Sequence, residues 1–186
     1  MEFARLAESG PQAIALALRR RDSGEIGRMV SEYHFRLLRY IVYLTGRRDS
    51  AEDLVQETWM RVLDRARQYD GRSRFEPWLF SVARNLAIDH LRREGRDMVS
   101  EFEELPAAAD SPFAMAARSE DAGRIASAMD GLPPAYREAL LLRFQEELSL
   151  EEIAKVAGAP VSTVSSRIRR GLAILRTQLE GDAHVA

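Results

Sequence analysis

The apolar residues Ile26, Val30, Tyr33, Leu37, Ile41 and Leu44 recur at intervals of three and four, the spacing of one face of an α-helix, and the run halts at Gly46. A second stripe, Val55, Trp59, Val62 and Ala66, runs through residues 50–67, with Asp49 or Ser50 placed to cap its start. Past the turn at Asp70-Gly71, Pro77 suits the first turn of a third helix that reaches about Arg93. That helix is apolar on two sides: Leu79, Val82, Ala83 and Leu86 form one, and Phe80, Ala87, Ile88 and Leu91 the other. Only a narrow polar stripe of Ser81, Asn85, Asp89 and Arg92 lies between them. A shorter helix, roughly Pro11–Arg21, comes before all of these. From Gly95 to about Pro112 the periodicity collapses into acidic, Ala- and Pro-containing sequence, the pattern of a linker. A helix near 113–130 then leads to the Leu132-Pro133-Pro134 break, and residues 134–146 form another with Tyr136, Leu140, Leu141 and Phe144. The predicted class is all-α, with two small helical domains at 1–95 and 113–186 joined by an acidic flexible linker at 96–112.

Residues 148–170 carry the densest local signal. Ser149 with Glu152 three positions later makes a capping box, Gly158 supplies a left-handed residue to end the helix, and Pro160 bars its continuation. Ala154 is small, as a close helix crossing requires. A new apolar stripe follows: Val161, Val164, Ile168, Leu172, Leu175 and Leu179. At about 100° per residue, Ser162, Thr163, Ser166 and Arg170 fall opposite that stripe, with Arg167 and Arg169 on its flanks. Short hydroxyls and arginines on the outward face of the second helix of a helix-turn-helix suit a helix lying in a DNA major groove.

The charge is segregated. The 186-residue chain has a net charge of −2, yet residues 161–177 hold four arginines and no acid. Residues 72–96 hold six arginines against three acids, and residues 97–121 hold seven acids against Arg118 alone. Two basic patches split by an acidic joint should bind DNA weakly without a larger partner, because phosphate attraction dominates affinity. With no cysteine, disulfides, thiol catalysis and cysteine-ligated metals are excluded, and His34, His90 and His184 are too scattered to propose a metal site. No cofactor is expected. No apolar run approaches a membrane span and no secretory leader is visible, so a cytoplasmic location is expected.

On the 50–67 helix, Asp53, Glu57, Met60 and Asp64 lie opposite the core stripe with Gln56 beside them. A methionine among acids, without balancing lysines, reads as a docking surface for a basic partner rather than a merely solvated face. On the third helix Asn85 can meet base edges while Arg92 meets phosphate. The preceding loop, Gly71-Arg72-Ser73-Arg74-Phe75, combines charge with an aromatic ring, as single-strand sites do, and Phe75 and Trp78 are candidates for stacking bases. For Trp78 a core role carries the greater weight.

With these residues in place the chain resembles a sigma factor of bacterial RNA polymerase, of the small extracytoplasmic-function type. The resemblance rests on Leu37-Leu38-Arg39-Tyr40, Ala51-Glu52-Asp53-Leu54-Val55-Gln56-Glu57-Thr58, the run Trp78 to Arg93, Leu132-Pro133-Pro134 and the helix-turn-helix, in that order over roughly residues 20–180. It implies two domains, called regions 2 and 4, and non-catalytic action. Region 2 would dock on the clamp helices of the polymerase largest subunit and capture the melted −10 element. Region 4 would read the −35 element as duplex and sit on the flap of the second-largest subunit. Carried over by position, Asp53, Gln56 and Glu57, with Met60 beside them, would face the polymerase. Arg72, Ser73, Arg74 and Phe75 with Ser81, Asn85, Asp89 and Arg92 would serve the −10 strand. Ser162, Thr163, Ser165, Ser166, Arg167, Arg169 and Arg170 would serve the −35 duplex. The acidic linker would run through the active-site and RNA-exit channels. An anti-sigma factor is a further implied partner. Two positions depart from the family: Ser162 stands where many members have glycine, and Ser165 where many have a basic residue. The chain ends soon after Leu179, so no further C-terminal regulatory domain is expected.

The alternative is a free-standing helix-turn-helix regulator, which leaves the acidic face and the two-sided third helix unexplained. An enzyme built on Asp53 and Glu57 would need a histidine, a third carboxylate or a phosphate loop converging on the pair, and none does.

Overall fold

The structure is a computed structural model that describes residues 10–95 and 120–182. The expected linker at 96–112 and the start of the helix expected near 113 lie outside the described residues. Helix α1 spans Pro11–Arg20, α2 Ser23–Thr45, α3 Ala51–Asp64 and α4 Phe75–Arg93, with a 3₁₀ turn at Ala66–Gln68. After the undescribed stretch come α5 (Glu120–Asp130), α6 (Pro134–Phe144), α7 (Leu150–Ala157) and α8 (Val161–Asp182). No strand occurs among the described residues. None of the described helices is long and apolar enough to cross a membrane.

Local chemistry sets the helix ends. The Asp22 carboxylate accepts the Gly24 and Glu25 amides at 3.0 and 3.1 Å and so starts α2. Gly46, at φ +67°, ends it by donating its N–H to the Val42 carbonyl. At the start of α3 the expected side-chain cap does not form. Asp49 instead pairs with Arg47 at 2.6 Å and accepts the Ser50 amide at 3.0 Å. α4 begins two residues ahead of Pro77, which leaves the proline inside the first turn, where no helical N–H is needed.

Helices α2, α3 and α4 pack on one another around Met29, Leu37, Ile41, Val55, Val62, Leu79 and Ala83, all buried. The core does not stop at Arg93. Leu141, Leu142, Leu148, Ile153, Val156 and Val164, from the C-terminal helices, belong to the same apolar cluster, and α4 packs against α7 while α2 packs against α6. This accounts for the two apolar sides of α4. Leu79, Val82, Ala83 and Leu86 of one side and Phe80 and Ala87 of the other all enter the core shared with the helix-turn-helix, whereas Ile88 and Leu91 form a separate small cluster.

The junction is also ionic. Glu146, whose side chain has no exposed surface, accepts hydrogen bonds from Arg36 Nε at 2.8 Å and Arg39 Nη2 at 3.2 Å. Glu138, also buried, accepts from Tyr40 Oη and Arg84 Nε, each at 2.8 Å. Burial alone would lower the guanidinium pKa of Arg36 and Arg84, but the facing carboxylates raise both above the ordinary value. Arg137 of α6 lies over the Tyr43 ring at 5.5 Å and donates to the Leu132 carbonyl at 2.9 Å.

A smaller cluster of Met129, Leu132 and Leu140 takes Ile168, Ile174 and Leu175 of α8. The two helices cross at Gly171, where an added Cβ would lie 3.0 Å from Leu140 Cδ1. Gly171 is thus a close crossing between α6 and α8, while Ala154 of α7 is partly buried against the main core. The apolar line of α8 shifts with it. Leu172, expected in the stripe, is 43% exposed, and Val161 is 39% exposed, because the helix turns Ile174 inward instead. Phe144 is likewise exposed rather than packed.

Candidate nucleic-acid interface

The helix-turn-helix is built by reciprocal capping. Ser149 N–H donates to Glu152 Oε2 at 2.8 Å, and Glu152 N–H donates to Ser149 Oγ at 3.2 Å. Gly158 ends α7 at φ +61°, and α8 starts past Pro160, whose carbonyl accepts the Val164 amide at 3.1 Å. With Val164 fully buried as the pivot, Ser162, Ser165, Arg169 and Arg170 are exposed and Thr163, Ser166 and Arg167 half-buried. Among the described residues none of these three arginines forms an ion pair, so their charge is available to an outside anion. Arg169 is as open as Arg170 rather than flanking it. It shares a groove of about 570 Å³ with Arg143 and Arg176, over a floor of Leu150, Ile168 and Leu172. Arg176 was one of the four arginines counted in residues 161–177, without a site role, whereas Arg143 escaped the sequence reading because it lies outside that segment. The signal of Arg143 is spatial: it sits at the end of α6, with Nη1 donating to the Leu148 carbonyl at 2.8 Å.

The second basic region starts at the loop before α4. Arg72, Ser73 and Arg74 are exposed. Phe75 is not: it is 1% exposed and sealed by the edges of Tyr33 and Tyr69 at 5.6 and 5.3 Å and by Trp78 at 5.8 Å. Its expected role as a base-stacking ring is therefore corrected to a core anchor, because the loop enters the helix at this residue and turns the ring inward. Trp78 is half-buried and stacked on Tyr69 at 5.4 Å, in keeping with its core weighting. The Tyr69 phenol, desolvated and near Glu76 and Asp70, is pushed up to about 12 and donates to the Ser73 carbonyl at 2.7 Å, which ties the loop down.

Along α4, Asn85, Asp89 and Arg92 are exposed, while the Ser81 hydroxyl turns back to the Pro77 carbonyl at 2.7 Å. A polar cavity of about 370 Å³ gathers Asn85, Asp89 and Arg92 with Arg61 and Arg65 from the end of α3. Those two arginines were missed in sequence because their proximity to α4 depends on the angle at which α3 and α4 cross.

The loop has a brace. Gly71, at φ +74°, lies where an added Cβ would come within 2.9 Å of Gln12 Cα and the Pro11 carbonyl, and Arg19 Nη2 donates to the Tyr69 carbonyl at 3.2 Å. Helix α1 thus packs directly beneath the loop that carries Arg72 to Arg74.

On α3, Asp53, Gln56 and Met60 project into solvent, Met60 at 66% exposure. Glu57 is half-exposed and paired with Arg61 at 3.0 Å, so the acidic face has one balancing cation. Among the described residues no cluster of three metal-ligating side chains forms.

Comparison with known proteins follows the same division. Residues 29–97 match the family model described as Sigma-70 region 2, and residues 122–175 that described as Sigma-70, region 4. The chain is 36% identical over 155 residues to the ECF RNA polymerase sigma factor SigE of Mycolicibacterium smegmatis, covering 81% of this chain and 60% of that protein. It is 31% identical over 155 residues to the ECF RNA polymerase sigma factor SigX of Bacillus subtilis, covering 80% of each. Among solved structures, the sigma factor RpoE of Bartonella quintana, determined in complex with the anti-sigma factor NepR, superposes with a TM-score of 0.64 at 26% identity. That likeness covers 84% of this chain and 97% of the other.

Proposed function

We propose how the work is divided along a chain that belongs to the extracytoplasmic-function sigma factors of bacterial RNA polymerase, proteins that bind the core enzyme and direct it to promoters. The N-terminal part, through residue 95, acts as region 2 and the part from 113 onward as region 4, with residues 96–112 as the joint. Asp53, Gln56, Glu57 and Met60 form the dock for the clamp helices of the polymerase largest subunit. Arg72, Ser73 and Arg74 with Asn85, Asp89 and Arg92 hold the melted −10 strand, Ser81 and Phe75 supporting them from within. Ser162, Thr163, Ser165, Ser166, Arg167, Arg169 and Arg170 meet the −35 duplex, with Arg143 and Arg176 on the adjoining phosphates, while the rest of region 4 meets the flap of the second-largest subunit.

The observation that carries this division is the open hydroxyl-and-arginine face of α8, projecting from a capped helix-turn-helix with no carboxylate among the described residues pairing its three arginines. Bases are read by such a face, and phosphates fix its register. The action is non-catalytic and cytoplasmic, and an anti-sigma factor restrains it, in line with the complex in which the Bartonella relative was captured.

Adding the full chain to core polymerase on a library of genomic fragments tests the reading. Transcripts that start at a shared pair of upstream elements are expected, and alanine at Arg170 should alter which fragments are used. Tight, specific retention of promoter duplex by the chain alone, with no promoter-directed transcription on adding core, would instead favour a free-standing regulator.

A further inference from the structure

Helix α1 lies ahead of the segment that matches region 2, which begins at residue 29, and packing does not account for all of its chemistry. Ile14, Ala15, Ala17 and Leu18 form the buried side that seats it. Another side carries an exposed stripe of Gln12, Leu16 and Arg19, spaced four and three along the helix. Both ends of that stripe border the −10 loop. Gln12 Cα would meet a methyl on Gly71 at 2.9 Å, and Arg19 Nη2 donates to the Tyr69 carbonyl at 3.2 Å. The loop itself adds Arg67 and Arg72, both exposed. Among the described residues neither Arg19 nor Arg67 forms an ion pair. The carboxylates beside them already have partners: Asp70 lies 3.7 Å from Arg72, and Glu76 lies 3.4 Å from Arg74.

We propose that this edge, made of Gln12, Leu16 and Arg19 of α1 with Arg67 and Arg72 of the loop, is a track for single-stranded DNA. It holds the strand where it leaves the −10 site on the downstream side.

Three observations support a track over a brace alone. First, bracing uses little of Arg19. The Tyr69 carbonyl takes one amino group and fixes the guanidinium in place, while the rest of the fork stays exposed and set for a phosphate. Second, the position suits the downstream strand. The joint to region 4 leaves α4 at its Arg93 end, so upstream DNA belongs there. The loop and α1 meet the other end of α4, roughly 27 Å away along the helix axis. Third, the stripe mixes the contacts that a single strand uses. Arg19 offers charge, Gln12 an amide, and Leu16, 47% exposed, an apolar surface for a sugar or base.

The inference rests on the promoter reading, and the test separates the two. The full chain bound to core polymerase is titrated with dye-labelled single strands. One strand ends at the downstream edge of a −10 segment taken from the fragment library. A second continues for about six nucleotides more, within the span of one single-strand site. A third and fourth repeat both lengths with the −10 segment randomised. The variants are Arg19→Gln, Arg67→Gln and the two together, with helicity recorded by circular dichroism. Arg67 makes no described side-chain contact, so its replacement reports on DNA even if Arg19→Gln disturbs the loop. The wild type should bind the longer strand more tightly than the shorter. The double variant should bind the shorter strand normally and the longer one roughly ten-fold more weakly than wild type. Its salt slope on the longer strand should fall by about 0.7 for each arginine removed. Arg19→Lys, which keeps the charge, should restore most of the binding that Arg19→Gln loses. Equal weakening of both lengths would assign Arg19 to bracing and overturn the track. So would a gain from the longer strand that survives in the double variant, because that gain belongs to core polymerase. If the gain and its loss appear on the randomised strands with no preference for any −10 segment, the track stands and the promoter reading falls.

Discussion

Gly71→Ala tests whether α1 braces the −10 loop. Gly71 sits at φ +74°, where an L-residue pays a left-handed strain of about 1–2 kcal/mol. The added methyl would also come within 2.9 Å of Gln12 Cα and the Pro11 carbonyl and 3.0 Å of Ala15 Cβ. The nearest atoms are backbone, so no rotamer change relieves the contact. Either α1 or the loop must shift, at the roughly 1–3 kcal/mol typical of overpacking. The total is about 2–5 kcal/mol, or a drop in melting temperature of roughly 4–20 °C for a chain of this size. Gly46→Ala is the internal control. Gly46 has nearly the same φ, +67°, but nothing within 4 Å of its added Cβ, so only the strain applies and the drop should be roughly 2–8 °C. Calorimetry on both variants isolates the brace as their difference. Gly71→Ala should further weaken capture of melted −10 DNA by the polymerase complex, measured by permanganate reactivity, while Gly46→Ala should not. Equal melting temperatures for the two variants would refute the packing of α1 against the loop. A destabilised Gly71→Ala with normal strand capture would refute the functional half.

Asp53→Lys with Glu57→Lys should leave helicity intact, because both side chains project from α3, and weaken core binding several-fold in a titration; unchanged affinity would remove these residues from the dock. Arg170→Ala should cost roughly 1–3 kcal/mol and relax preference at one base pair of a randomised −35 element if it reads a base edge. Arg167→Ala and Arg169→Ala should instead weaken all sequences alike and reduce the salt slope by about one each, as phosphate contacts do. The junction should fail in alkali. Burial and then Glu138 hold the Tyr40 phenol well above 10, and burial raises Tyr43, which lies under Arg137, as well. A phenol with a raised folded pKa stabilises the neutral form, so that contribution is complete below pH 10 and is lost as pH rises beyond it. Thermal unfolding should therefore show stability falling above pH 10, and Tyr40→Phe should blunt that fall.

The helices of this protein were largely legible from periodicity and punctuation. Gly46, Gly158 and the Ser149–Glu152 pair end and start helices through atoms within a few residues, so local sequence carried their consequences. The errors occurred where a residue's environment comes from a distant segment. Phe75 read as an open ring because its loop is polar, but Tyr33, more than forty residues away, closes over it. Leu172 kept the helical phase of the stripe, yet the crossing of α6 at Gly171 rotates the buried line towards Ile174. Arg143, Arg61 and Arg65 join their sites only through helix packing angles, which no local pattern encodes.

Sequence by itself determined the all-α class, the outer faces of α3 and α8, and the family, because each depends on side-chain order along single helices or on motifs read in sequence. It also recorded that α4 is apolar on two sides, but not what covers the second side. Tertiary structure decided that the cover is the chain's own C-terminal half, and that Glu138 and Glu146 are buried partners of arginines about fifty to a hundred residues away. An isolated glutamate in a helix looks solvated. Only when the opposing helix brings guanidinium groups to within hydrogen-bonding distance does burying its charge become tolerable, and that pairing is a property of the assembled fold.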